Sequence, residues 1–400
     1  MKQIKDLKVA IVHDFLVQNG GAEKVLEVIA EMFPEAPIYT LLYDKEKMYG
    51  KFEGKDIRPS YLQKFPKFLR HRYRWLLPFC MVAPETFNLR EFDLVISSSG
   101  AWAKGIVTKL NTIHISYIHS PMRFVWELNH NSQFTTRNSI RGFFVKLLFN
   151  YLRIWDRLAA DRPDYLVSNS KYTQERVKKY YRRDSNVIYP PVEIKSKIQN
   201  PKSQINSPPK ADQSLAENFN PPAGGQNSKI TNYFLIVSRL SPYKKVDLVV
   251  KTFNKLGLPL VIIGEGRQEK YLRKIAGKNI KILGWQNEEN LRKYYSNARA
   301  FIFPAVDDFG ITMVEAMNYG IPVIALRKGG AVEIIQENIT GEFFNSQTME
   351  ILADAVRRFI KDEKKYDQEE IKKRAREFSK ERFIKEFGEY IDSVILNSKL

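Results

Sequence analysis

The residues with the most chemistry in this chain lie between positions 300 and 333. Asp307 and Glu315 stand there with seven residues between them, and Gly329-Gly330 follow. The apolar run 300–303 has the composition of a buried parallel strand, and Pro304 with the acidic Asp307-Asp308 ends it. Thr312 is placed to cap the next helix, with Glu315 three residues on as in a capping box. Gly320 stops that helix, 321–325 makes another strand, and Gly329-Gly330 turns into a further helix. A strand end, a helix N-terminus and a glycine turn therefore converge, an arrangement suited to holding an anion. Taken alone, the same residues also fit a capping box beside a solvated acidic loop.

Cations stand upstream. The strand pattern 233–237 runs into Ser238-Arg239-Leu240-Ser241-Pro242-Tyr243-Lys244-Lys245. Positive side chains at the start of a helix, added to the helix's own positive end, are arranged to hold a diphosphate. Lys245 is adjacent to Lys244 and able to trade roles with it; a solvated basic loop is the plainer reading. His119 ends the apolar run 113–118, at the carboxyl end of a strand where open α/β sheets bind ligands. A lone histidine there also serves often as a structural residue. Gly20-Gly21-Ala22-Glu23 follows the strand pattern 8–13 and makes half of a phosphate-binding βαβ unit, or simply a tight turn. Gly264 and Gly266 repeat the strand-to-glycine pattern, which is weak evidence alone. No Asp-x-Asp pair stands where a metal would be held.

Positioning these groups requires strands alternating with helices, and the alternation runs through both halves of the chain. It predicts an α/β protein with two doubly wound sheets. The expected divisions are 1–192, a flexible insertion at 193–232, a second domain at 233–377, and a last helix at 378–400. The insertion is rich in Pro, Gly, Asn and Ser with one aromatic, Phe219, and cannot build a core; a partner-binding segment is the alternative there. A helix over 143–161 is expected to turn Leu147, Leu148, Tyr151, Leu152 and Trp155 inward. The lone Cys80 can form no disulfide within the chain and suits a reducing compartment. No apolar run approaches the roughly 20 residues of a spanning helix, so a cytoplasmic protein is expected.

The formal net charge of +19 calls for an anionic partner or simple solubility. Residues 57–84 carry six of the Lys and Arg residues, no Glu, and many aromatics. Leu62, Phe65, Leu69, Tyr73 and Leu76 have the spacing of one helix face. That composition suits an anionic bilayer surface, peripheral on the inner face of the membrane. It also suits a covered core and, least well, nucleic acid.

The acidic residue, seven others and then glutamate, with Gly20-Gly21-Ala22-Glu23, the string His119-Ser120-Pro121-Met122-Arg123-Phe124-Val125-Trp126, Arg239 five residues before Lys244, and Gly329-Gly330, resembles retaining glycosyltransferases of family 4, bacterial mannosyltransferase-like members above all. The resemblance covers the chain outside 193–232. It implies the GT-B fold, two Rossmann-like domains facing across a cleft, and a nucleotide-diphosphate sugar as substrate, GDP-mannose ahead of UDP-sugars or other GDP-sugars. It implies that Arg239 and Lys244 neutralise the leaving diphosphate, that Asp307 and His119 hold the donor sugar, and that Glu315 holds the ribose. Phe309, Gly310 and Ile311 would supply a backbone cradle, completed by Arg327, Gly329, Gly330 and Glu333. Gly20 and Gly21 would line the cleft, Gly264 and Gly266 would lie beside the nucleotide, and the backbone near Gln286 would form the base pocket. Arg123 would contact acceptor or phosphate. Asp307 departs from the pattern, since the family usually has glutamate there; Asp308 is a possible substitute. No cofactor and no metal are expected, because the cations replace one, and the acceptor is expected to be a lipid-linked saccharide in cell-surface polysaccharide synthesis. An inactive GT-B binding protein is the rival reading, and a sugar-nucleotide epimerase or a phosphorylase shares the fold.

Overall fold

The computed structural model describes residues 7–71, 76–127, 140–194 and 233–398. Residues 195–232 of the insertion and 72–75 of the basic stretch lie outside them. The chain divides into one unit of Met1–Val192 with Phe378–Leu400 and another of Glu193–Glu377.

The first unit is built on seven parallel strands: β1 (Val9–Leu16), β2 (Ile38–Tyr43), β3 (Ile57–Pro59), β4 (Leu94–Ser99), β5 (Ile113–Ile118), β6 (Tyr165–Ser168) and β7 (Asn186–Val187). Their order is β3-β2-β1-β4-β5-β6-β7, so the direction of winding reverses between β1 and β4. Period-two alternation sends Val9 and Ile11 to one face and Ala10 and Val12 to the other. The first face is covered by helix Gly21–Met32 and by Phe383, Phe387 and Ile391 of helix Lys380–Asn397. Both faces of the strands are thus apolar, as a parallel sheet between two layers requires.

The second unit repeats the plan with six strands: β8 (Tyr233–Val237), β9 (Leu260–Ile263), β10 (Ile280–Ile282), β11 (Ala298–Phe303), β12 (Val323–Leu326) and β13 (Gly341–Phe344). The order is β10-β9-β8-β11-β12-β13, all parallel, and winding reverses between β8 and β11. Helices Val246–Leu256 and Met349–Asp362 bury one face against Phe234, Ile236 and Ile302.

Three local expectations are corrected. Residues 57–84 do not form one helix: they make β3, a 3₁₀ turn at Tyr61–Lys64, and short helices Lys67–His71 and Leu77–Cys80. Pro66 and Pro78 interrupt any longer helix. Leu62, Phe65, Leu69 and Leu76 nevertheless all join one apolar cluster, so that part of the stretch covers a core; Tyr73 lies outside the described residues. The helix expected from 143 starts at Ile140 and ends at Ala159. Leu148, Leu152 and Trp155 do pack inward, but Leu147 and Tyr151 point outward. This helix is apolar on both faces, so periodicity alone does not say which face turns in. Thirdly, Thr312 caps nothing. Helix Ile311–Asn318 begins at Gly310, which takes φ 98° as its N-cap, and no side chain bonds there.

Candidate active site

Both winding reversals put ligand-binding strand ends at the positions that carry the sequence motifs. In the first unit β1, β4 and β5 end beside one another. Asp14, in β1, accepts backbone N–H bonds from Gly100 and Ala101 at 2.7 Å each on one oxygen, and from Trp102 at 2.8 Å and Ala103 at 2.6 Å on the other. Four charge-assisted bonds hold the loop after β4. That loop leaves Ser98 and Ser99 buried at the strand end.

His119 follows β5 directly. Its Nε2 lies 2.7 Å from Ser98 Oγ, which lies 3.0 Å from Nδ1 of His13. Burial, with His13 nearby, lowers the His119 pKa to about 3, so its ring is neutral at ordinary pH. Gly20 is the N-cap of helix Gly21–Met32, and its N–H donates to Glu23 Oε2 at 2.8 Å. Arg123 starts a short helix, Arg123–Trp126, and lies 3.7 Å from Glu127. Beneath this region Lys104 and Asp156 form a buried ion pair at 2.5 Å, with Trp126 Nε1 and Tyr181 OH donating to Asp156.

In the second unit the loops after β8, β9, β11 and β12 come together. Arg239 is exposed. Lys244 ends the 3₁₀ turn Pro242–Lys244, and its ammonium pairs with the Asp307 carboxylate, 63 residues away. Lys244 also lies over the Phe303 ring, 5.7 Å from its centre. Lys245 takes the left-handed conformation, φ 54°, to start helix Val246–Leu256. The Asp307 carbonyl accepts the Gly330 N–H at 2.9 Å, and a Cβ on Gly329 would lie 2.3 Å from that same oxygen. Only glycine permits that approach. Phe309 is buried against the same turn, whose Gly330 has no room for a Cβ beside Phe309.

Gly264 and Gly266 are demanded by packing. A Cβ on either would strike the Ser238 or Leu240 carbonyl at 2.0 and 2.2 Å. Leu240 N–H donates to Glu265 O at 2.8 Å, so this turn supports the Arg239 loop. Glu315, the fifth residue of helix Ile311–Asn318 and so past its capping positions, accepts from Tyr295 OH at 3.1 Å. Tyr295 stacks on Tyr319, ring centres 5.3 Å apart, and burial beside Glu315 pushes its phenol well up. The Gln286 side chain is held locally, donating to Leu283 O at 3.0 Å and accepting from Asn290. The Glu333 backbone closes the turn to Gly330 O at 3.0 Å, and Glu333 O accepts from Arg374. Within this unit Lys244, Asp307, Phe309 and Gly329-Gly330 are therefore joined.

A family model described as Glycosyltransferase Family 4 matches residues 19–196, and one described as Glycosyl transferases group 1 matches 223–378. The chain belongs to glycosyltransferase family 4. A probable sucrose-phosphate synthase of Thermosipho melanesiensis is 26% identical to this family 4 chain over 59% of its length. A GDP-mannose-dependent phosphatidylinositol monomannoside mannosyltransferase of Mycobacterium tuberculosis is 31% identical over 32% of it. The matched stretches span 56% and 37% of those two relatives. The crystal structure of HepE from Anabaena in complex with UDP and glucose is similar in fold, with TM-score 0.68 and 18% identity, covering 97% of this chain and 100% of that one.

Sequence reasoning passed over His13, Asp14, Ser98 and Tyr295 as site residues. Only His13 and Asp14 carried a usable signal, as polar residues inside an apolar strand. Ser98 and Tyr295 become relevant through neighbours far away in sequence.

Proposed function

We propose that this chain moves a sugar, with retention at the anomeric carbon, from a nucleotide-diphosphate donor to the hydroxyl of a lipid-linked saccharide in cell-surface polysaccharide synthesis. The bond from the anomeric carbon to the diphosphate breaks, the acceptor oxygen forms the new bond, and its proton passes to a phosphate oxygen. The observation that carries this reading is the meeting of Lys244 with Asp307 over the Gly329-Gly330 turn. A phosphate arriving there finds Lys244 and Arg239 as cations, and releasing Lys244 frees Asp307 to take sugar hydroxyls. Charge developing on the leaving diphosphate is then met by these two cations. The same cations take the part of a metal, so turnover is expected to survive EDTA.

GDP-mannose is the preferred donor, supported by the named activity of the mycobacterial relative. A UDP-sugar is the second reading, supported by the UDP complex of HepE. A panel of labelled GDP- and UDP-sugars, incubated with membranes as acceptor source, tests both. Transfer from GDP-mannose that Glu315→Ala abolishes supports the first reading, and transfer from a UDP-sugar alone replaces it with the second. If no donor turns over in the wild type or in Asp307→Glu, the inactive binding protein takes their place.

Peripheral attachment to an anionic membrane is part of the proposal. Its support is helix Ile140–Ala159, where Phe143, Phe144, Leu147, Tyr151, Ile154 and Leu158 are all more than half exposed, with Lys146 beside them. Among the described residues no helix is long and apolar enough to cross a membrane. Such a face on a strongly basic chain suits the boundary of an anionic bilayer. Sedimentation with phosphatidylglycerol vesicles is expected to carry the protein down, and Leu147→Glu with Ile154→Glu to release it. Self-association without vesicle binding would assign the face to a second copy instead.

A further inference from the structure

Four side chains from separate elements form a line inside the first unit. His119 follows β5, Ser98 is the penultimate residue of β4, His13 lies in β1, and Glu23 lies in helix Gly21–Met32. The links are His119 Nε2 to Ser98 Oγ at 2.7 Å, Ser98 Oγ to His13 Nδ1 at 3.0 Å, and His13 Nε2 to Glu23 Oε1 at 3.9 Å. Ser98 is fully buried, and His13 and Glu23 are 2% and 3% exposed. The other Glu23 oxygen is engaged by the Gly20 N–H at 2.8 Å.

The Ser98 hydroxyl has one proton and two ring nitrogens beside it. One histidine must therefore accept from Ser98 and the other must donate to it. With His13 neutral, Glu23 decides the direction. Its carboxylate attracts an N–H at His13 Nε2 and repels a lone pair there. A neutral His13 protonated at Nε2 has a bare Nδ1, which accepts the Ser98 O–H. The Ser98 oxygen is then left to accept, and His119 Nε2 must carry the proton that it donates. His119 Nδ1 is consequently unprotonated, since one nitrogen's hydrogen bond sets the state of the other.

Resting on the glycosyl-transfer reading above, we propose that Glu23, His13 and Ser98 are positioning residues that lock His119 in its Nε2–H tautomer, so that Nδ1 accepts a hydrogen bond from a hydroxyl of the donor sugar. The other groups around the ring do not disturb this assignment. Tyr117, whose ring lies 5.3 Å away edge-on, directs its OH to Ile188 O. The Asp14 carboxylate is occupied by four backbone N–H groups. A ring kept neutral by burial accepts a hydroxyl proton through its lone pair, which an imidazolium cannot do. The line also ties the Gly20 turn to His119, joining two motifs that lie about 100 positions apart in sequence.

The tautomer is read without any substrate, by long-range 1H–15N correlation on the full chain labelled with 15N-histidine. The chain has five histidines, and His119→Asn assigns the signal. The expected wild-type spectrum has His119 protonated at Nε2 with bare Nδ1. Glu23→Gln keeps an oxygen for Gly20 and turns an NH2 toward His13. That demands a lone pair at His13 Nε2, reverses the line, and moves the His119 proton to Nδ1. A wild-type His119 protonated at Nδ1, or a Glu23→Gln spectrum unchanged from wild type, overturns the proposal. Ser98→Ala is expected to give mixed His119 tautomers and Ser98→Thr to restore one, so a folding defect in Glu23→Gln leaves the test intact. With an active donor, Ser98→Ala should lower kcat/KM roughly five- to tenfold, the loss of one uncharged hydrogen bond, and Ser98→Thr should recover most of it. Failure to find a donor would count against the function alone, because the tautomer is decided in its absence.

Discussion

The two units share a fold plan and place their motif residues at equivalent strand ends, yet they handle polarity in opposite ways. In the first, the groups are mostly uncharged hydrogen-bonding ones: Ser98 and His13 are buried, His119 is half-buried, the three exchange hydrogen bonds among themselves, and a deep ion pair, Lys104 with Asp156, stands in the same unit at 1% and 0% side-chain exposure. In the second, the groups are charged: Arg239 is exposed, and Lys244 and Asp307, both half-buried, pair beside a glycine turn. Neutral hydrogen-bonding groups select by the direction of lone pairs and protons. Charged groups select by charge, and can exchange an internal partner for an incoming anion.

Removing a charge should expose this contrast most strongly. Asp156→Ala leaves Lys104 buried without its partner and is expected to cost about 3–5 kcal/mol of stability, read from the urea midpoint. Glu363→Ala breaks the partly exposed pair with Arg299 in the second unit, 2.5 Å apart, and should cost only about 1 kcal/mol or less. Equal losses would dissolve the distinction.

Next in size is catalysis. Lys244→Ala or Arg239→Ala should lower turnover by about 10²- to 10³-fold, the scale of one lost transition-state donor. Stability should stay within roughly 0.5 kcal/mol for Arg239→Ala, since that side chain is exposed. A normal rate in both variants would separate the cationic loop from the chemistry.

His114 and His119 give a pH-dependent effect. His114 and His119 are both lowered from 6.5 to about 3, chiefly by burial. The unfolded chain takes up protons at the higher value and the folded chain only at the lower. Their contribution is therefore whole above pH 6.5 and is lost as pH falls toward 3, at up to about 1.4 kcal/mol per pH unit for each group. Melting temperatures of wild type and His114→Gln between pH 7 and 4 check this, and the variant should fall less steeply. A parallel fall would mean that His114 titrates normally.

The smallest effect is expected at Glu315. Tyr295→Phe deletes one hydrogen bond to it and should weaken donor binding a few-fold, about 1 kcal/mol, visible in KM.

Much of this was legible in the residues alone. Alternation of apolar strands with amphipathic helices specifies two parallel sheets, because both faces of each strand must be covered. The glycines of the motif strings mark turns at strand ends that tolerate only certain residues: Gly329 and Gly330 leave no room for a Cβ beside Asp307 and Phe309. Tertiary structure decided what local pattern leaves open. A helix with apolar residues on both faces, such as Ile140–Ala159, has no inward face until a neighbour chooses one, and a Thr-x-x-Glu string caps only if the chain enters the helix there, whereas Gly310 enters it first. It also decided that Ser98 stands between two histidines, His13 being 85 residues away in the chain. Strand order alone brings β1, β4 and β5 side by side, and a hydrogen bond depends on that spatial neighbour and not on distance along the sequence.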